Sequence, residues 1–120
     1  MLGGKQKFGK IGEDIAARYL AGFGYEVLAR NYRCRLGEID IICRSPDRYL
    51  VFVEVKARMN DRFGVGLESV THTKRGRIVR ASMKYISENN YTGDVRFDVI
   101  SVTIGGDNSI EHIVNAFDAY

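Results

Sequence analysis

The sequence predicts an α/β sandwich built around one mixed sheet. Three observations predict it. An apolar stripe at helical spacing opens the chain, three β-branched runs separated by turn residues follow, and a second helical pattern precedes two more strand-like runs. The order helix, three strands, helix, strand, strand suits helices layered on a sheet. With 120 residues, 45% hydrophobic and 28% charged, the chain fits a single domain over 1–120.

Residues 1–7 are expected to be flexible, and the first helix to run over 8–23. Phe8, Ile11, Ile15, Ala16, Tyr19, Leu20 and Phe23 recur at helical spacing, and Gly22 and Gly24 end the pattern. At about 100° per residue, Glu13 falls at the edge of this stripe near Leu20, where it can look into a cleft beside the core. Asp14 and Lys10 fall on the polar side, and Asp14 is expected to face water. Strands are expected over 25–33, 37–43 and 49–57, with Ser45-Pro46-Asp47 turning between the last two. The polar stretch 60–66, with two glycines, reads as a mobile loop. A second helix is expected over 71–89, with Ile78, Val79, Ser82, Tyr85 and Ile86 inward and Arg77, Arg80 and Lys84 outward. Strands over 96–104 and 110–116 finish the chain, joined by Gly105-Gly106-Asp107-Asn108.

Several function classes are excluded at this level. No apolar run approaches the roughly 20 residues of a membrane span. The segment Met1-Leu2-Gly3-Gly4-Lys5-Gln6-Lys7 lacks the apolar core of a secretory signal, so a cytoplasmic location is expected. Cys34 and Cys43 fit no metal-ligand spacing and read as small buried thiols; His72 and His112 are too far apart in sequence to suggest zinc. The net charge is only +3, but it is unevenly spread. Between Thr71 and Ser87 stand five basic residues and no acid, and Lys5, Lys7 and Lys10 and then Arg30, Arg33 and Arg35 add further clusters. From Tyr91 to Tyr120 there are five acids and one base. One basic side points to an anionic polymer as partner.

Two runs carry the chemistry. Gly37-Glu38-Ile39-Asp40-Ile41 and Val53-Glu54-Val55-Lys56 set charges inside strands that otherwise read as buried. Ionised groups there lose hydration unless they are paired or bind a metal. Strand alternation puts Glu38, Asp40 and Ile42 on one face and Ile39, Ile41 and Cys43 on the other. It likewise groups Phe52, Glu54 and Lys56. If the two strands pair, Asp40 approaches Glu54 and Lys56. Two carboxylates held together repel, and a divalent cation relieves the repulsion; oxygen ligands, with the Val55 carbonyl as a third, favour Mg²⁺ or Mn²⁺. Such a cation suits phosphodiester hydrolysis, with Lys56 orienting the water or stabilising the phosphorane. The same residues could instead form a buried salt bridge without catalysis.

The Asp40…Glu54-Val55-Lys56 arrangement resembles the PD-(D/E)XK nuclease superfamily. Over residues 9–117 the chain is more closely similar to the YraN-like bacterial family, related to archaeal Holliday junction resolvases. Gly9-Lys10-Ile11-Gly12-Glu13, Asn31-Tyr32-Arg33-Cys34-Arg35, the two runs through to Arg58, Lys74 with Arg75, Arg96-Phe97-Asp98-Val99 and Asn115-Ala116-Phe117 carry the likeness. The resemblance implies a restriction-endonuclease-like fold, a four- or five-stranded mixed sheet flanked by helices. It implies Asp40 and Glu54 as metal ligands, Lys56 as the catalytic lysine and Glu13 as the helix glutamate completing the acidic site. Ile39 stands where the superfamily pattern has proline.

Arg33, Arg35, Arg58, Lys74, Arg77, Arg80 and Lys84 are candidates for backbone phosphate contacts, against the alternative of solvated strand and helix faces. Glu38 suits a partner for Arg33 or, alternatively, a carboxylate supporting the metal ligands, and Asp98 suits a structural pairing. The activity expected is metal-dependent cleavage of DNA. No base-reading motif is present, so branched or structured DNA suits it better than a sequence-specific site. A homodimer would match the two-fold symmetry of a junction. The alternatives are a nucleic-acid-binding or partner-recruiting module without turnover, and a nuclease acting on RNA.

Overall fold

β-Branched runs flanked by turn residues form five strands, and the two amphipathic stretches form helices. In the computed structural model, which describes residues 4–59 and 70–119 and side chains from Phe8 onward, the elements are α1 (Gly4–Gly22), β1 (Glu26–Cys34), β2 (Gly37–Arg44), β3 (Leu50–Met59), α2 (His72–Glu88), β4 (Val95–Ile104) and β5 (Ser109–Phe117). Every expected element is present. The helix expected from residue 8 starts instead at Gly4. The loop expected at 60–66 lies outside the described residues.

The strands form one mixed sheet in the order β1-β2-β3-β4-β5. β1, β2 and β3 are antiparallel neighbours, β3 and β4 are parallel, and β5 returns antiparallel to β4. A parallel pair needs a crossover, and α2 occupies it. The sheet separates two cores. Ile41, Cys43, Val51, Val53, Ile100 and Val102 pack with Ala16 and Leu20 of α1. Ile42, Phe52, Phe97, Val99 and Phe117 pack with Ile78 and Ala81 of α2. No helix among the described residues is long and apolar enough to cross a membrane.

Two glycines set how closely the helices lie on the sheet. A Cβ on Gly12 would stand 2.7 Å from the Ala57 Cβ, so α1 touches β3 there. A Cβ on Gly37 would stand 2.7 Å from the Arg77 carbonyl oxygen, so the start of β2 lies against the α2 backbone. Both contacts bring helices to the end of the sheet that carries Asp40 and Glu54.

Alternation breaks in β2. Ile41 belongs to the α1-side core, yet Ile39 joins Ile42 in the α2-side core. The expected grouping of Ile39 with Ile41 is therefore corrected. The break falls at Asp40, where the β2–β3 ladder stops: its last pair is Ile41 with Val53.

Candidate active site

Beyond that last pair, the next N–H of β3 on the same edge belongs to Val55. It donates to Asp40 Oδ2 at 2.8 Å, so a carboxylate takes the place of a strand carbonyl. A strand residue's N–H and C=O lie on the same edge. The Val55 carbonyl therefore faces the gap that Asp40 occupies. Burial, and then the charge of Glu54 beside it, push the Asp40 carboxyl up to about 7. After burial, Glu54 is the charge that acts most on the Asp40 carboxyl.

Glu54 lies on the α2 side of β3 and is 4% exposed. Its Oε1 stands 2.6 Å from Lys74 Nζ, in the first turn of α2. Thr71 fixes that turn, accepting the Lys74 backbone N–H on its side chain at 3.2 Å. Burial works against the Lys74 ammonium, but Glu54 and then Asp40 hold its pKa above the usual value. The lysine against the carboxylates is therefore Lys74, which sequence grouped with phosphate-contacting residues. Lys56 is partly buried on β3 and has no ion pair among the described residues. The signal for Lys74 was its spacing: it stands four residues before Ile78, one turn along the inner stripe of α2.

Glu13 is drawn toward the same end from α1. Burial and the nearby Asp40 raise its pKa, while Asn31 and Arg30 oppose the rise. Arg30 Nη2 stands 3.6 Å from Glu13 and 2.7 Å from Asp14. Asp14, expected to face water, is thus half-buried against β1; sequence also missed Arg30 as its clamp. Among the described residues, no three Asp, Glu, His or Cys side chains converge tightly enough to hold one ion. The donor set present is two carboxylates with a strand carbonyl. It suits Mg²⁺ or Mn²⁺, since Mg²⁺ keeps several waters and takes one or two carboxylates. The Lys74 ammonium already stands where positive charge is favoured.

The remaining basic candidates separate. Arg33 pairs with Glu38 across the hairpin at 3.1 Å, as expected. Arg35 is exposed in the β1–β2 turn, and Arg58 is partly buried near the end of β3. Arg77, Arg80 and Lys84 are exposed along α2, with Lys84 held 3.1 Å from Glu88. A cavity of about 550 Å³ opens between the β1–β2 hairpin and α2, with Arg33, Lys74 and Arg77 in its wall.

Asp98 is fully buried on the α1 side of β4. It accepts Arg96 Nε at 2.9 Å and the Asn115 N–H at 2.9 Å, and pairs with His112 Nε2 at 2.7 Å. His112 Nδ1 reaches Tyr19 Oη at 3.2 Å, linking β5 to α1. Burial would raise the Asp98 pKa, but His112, Arg96 and the Asn115 N–H lower it below its usual value. The structural pairing expected for Asp98 is present; the part of His112 in it was not foreseen.

The model of the uncharacterised protein family UPF0102 matches residues 12–102. The chain belongs to that family. UPF0102 proteins of a Sulfurihydrogenibium species and of Legionella pneumophila are 48% and 45% identical over 114 and 116 residues. These spans cover 94% of this chain and 96% of the first relative, and 95% and 97% for the second. The UPF0102 protein of Desulfosudis oleivorans is 45% identical over 99% of this chain and 96% of its own. Among solved structures, Pyrococcus furiosus SfsA in complex with Ca²⁺ superposes with a TM-score of 0.43 at 12% identity. That match covers 90% of this chain, which spans 62% of the SfsA chain. The matched UPF0102 segment contains Glu13, Asp40, Glu54, Lys56 and Lys74.

Proposed function

We propose that this UPF0102 protein is a metal-dependent endonuclease that hydrolyses phosphodiester bonds of DNA, with branched or structured DNA as the preferred substrate. One observation carries the reading: Asp40, fixed on the Val55 N–H where the β2–β3 ladder ends, has its carboxyl pushed up by burial and then by the charge of Glu54. Holding the two carboxylates together costs stability, and a cation offsets that cost. Asp40, Glu54 and the Val55 carbonyl are the residues that would hold Mg²⁺ or Mn²⁺. A divalent cation there supplies Lewis-acid polarisation of a phosphate oxygen and a lowered pKa for attacking water. Glu13 bounds the site from α1, and Lys56 continues the strand face of Glu54 with its ammonium uncommitted to any described acid. Arg77 and Arg80 on α2, with Arg35 at the hairpin, form the phosphate-contacting side.

A second reading has its own observation. Lys74 already neutralises Glu54, which would suit a nucleic-acid-binding module without turnover. Incubation with branched, flapped, single-stranded and duplex DNA in Mg²⁺ or Mn²⁺ separates the two. The nuclease reading expects cleavage that Glu54→Ala and Lys56→Ala abolish. DNA binding without cleavage of any of the four substrates would favour the binding module.

A further inference from the structure

Lys74 is shared by two features, the acidic pair and the cationic cavity. Its partner Glu54 is 4% exposed on a central strand and has no room to leave, whereas the Lys74 side chain is 44% exposed. A long lysine stem of that exposure reorients with little loss of packing. A divalent cation at the acidic pair would compete with the ammonium for the same carboxylate oxygen, and Lys74 is the partner free to move. Its other surroundings are the cavity wall, where, among the described residues, Arg33, Arg77, Thr71 and Thr73 face one acid, Glu38. The cavity, at about 550 Å³, is sized for a ligand no larger than a short stretch of one strand.

We propose that Lys74 is a resident counter-cation of the Asp40–Glu54 pair that yields Glu54 to a divalent cation and then contacts a strand phosphate in the adjoining cavity. This rests on the nuclease reading of the acidic pair and adds a coupling to it. While Lys74 neutralises Glu54, its charge is unavailable to the cavity; once released, it joins Arg77 and the Glu38-paired Arg33 among the described residues there. Cation and strand therefore bind with positive cooperativity, and by linkage each strengthens the other equally. Added divalent salt by itself weakens phosphate contacts, so a gain in strand affinity is opposite in sign to screening.

The test is Mn²⁺ titration calorimetry on the full chain, paired with fluorescence anisotropy of a short single-stranded oligonucleotide. Anisotropy is read in a Lys56→Met background so that cleavage does not consume the probe. Lys74→Met is expected to bind Mn²⁺ alone about tenfold tighter than wild type, because the competitor is gone. In the Lys56→Met protein, Mn²⁺ is expected to strengthen oligonucleotide binding about tenfold, and adding Lys74→Met should abolish that gain. Should Lys74→Met not melt cooperatively, Lys74→Gln, which keeps a neutral donor toward Glu54, replaces it throughout. Unchanged or weaker Mn²⁺ binding in the folded variant, or a cation effect on strand binding that survives it, overturns the proposal alone. No Mn²⁺ uptake by wild type would overturn the proposal together with the metal site beneath it.

Discussion

Asp40 Oδ2 accepts the backbone N–H of Val55 at 2.8 Å, at the point where β2 stops pairing with β3. A side chain does there what a carbonyl does elsewhere along the strand. The same device recurs at β4, where Asp98 accepts the Asn115 N–H beside a register shift with β5. The two aspartates, Asp98 buried and Asp40 partly buried, differ in company. Asp98 is surrounded by Arg96 and His112, while Asp40 has Glu54 beside it. One is a satisfied anion; the other stores repulsion that a cation could relieve.

That difference fixes the sign of a pH effect. The Asp40 carboxyl is pushed from 3.8 up to about 7, so between those values the folded chain holds a proton that the unfolded chain has lost. Its contribution to stability falls as pH rises through this window. Asp40→Asn keeps an acceptor for Val55 and removes the charge. The variant should match wild type near pH 4 and exceed it above pH 7, by at most on the order of 4 kcal/mol. Urea denaturation at both pH values checks this.

Gly12 should resist replacement despite sitting inside a helix. Alanine would gain about 1 kcal/mol of helix propensity. Its Cβ would also stand 2.7 Å from the Ala57 Cβ, on a central strand that cannot retreat. Overpacking of that kind costs about 1–3 kcal/mol, so the clash wins and α1 lifts with Glu13. Gly12→Ala should lower both the melting temperature and metal-dependent cleavage. Gly12→Ala with Ala57→Gly should restore both.

The Asp98 cluster is predicted to serve stability only. Asp98→Ala leaves Arg96, which is 8% exposed, without its bidentate partner. Removing one member of a buried pair costs about 3–5 kcal/mol. His112→Gln should cost less, since it deletes one arm while Arg96 and the Asn115 N–H still hold Asp98. Because the Asp98 pKa is depressed, its stabilising part is complete above its usual value near 4 and is lost as pH falls below it. Denaturant melts of both variants, and their unchanged cleavage under conditions where they remain folded, are the checks.

The elements were legible because each is a long run with one clear period. Parity in β2 was not, because the β2–β3 ladder ends between Ile39 and Ile41, and nothing local to Ile39 encodes where a neighbouring strand stops pairing. Asp40 and Glu54 were legible as a pair because unpaired charge inside apolar strands demands an explanation. Lys74 was half legible: its spacing from Ile78 marks the inner face of α2, but its charge argued for the outer one. The Asp98–His112 contact joins β4 to β5 across a bulge, so only the pairing register reveals it.

Arg77 and Arg80 stay exposed on α2 and should act through phosphates rather than bases. Each replacement by alanine should weaken DNA binding alike on all sequences and reduce the salt slope by about 1. Lys84, paired with Glu88, should contribute less. Anisotropy titrations across a salt series measure the slopes.

Single-turnover cleavage of branched DNA by wild type, Asp40→Asn and Glu54→Gln, with Mn²⁺ and with chelator, tests the central claim most directly. Wild type should cut only with the cation. Each variant should fall by more than the ~10–100-fold that outer partners of a metal ligand are worth, while still binding DNA. Equal, cation-dependent cleavage by all three proteins would contradict an active centre built on Asp40 and Glu54.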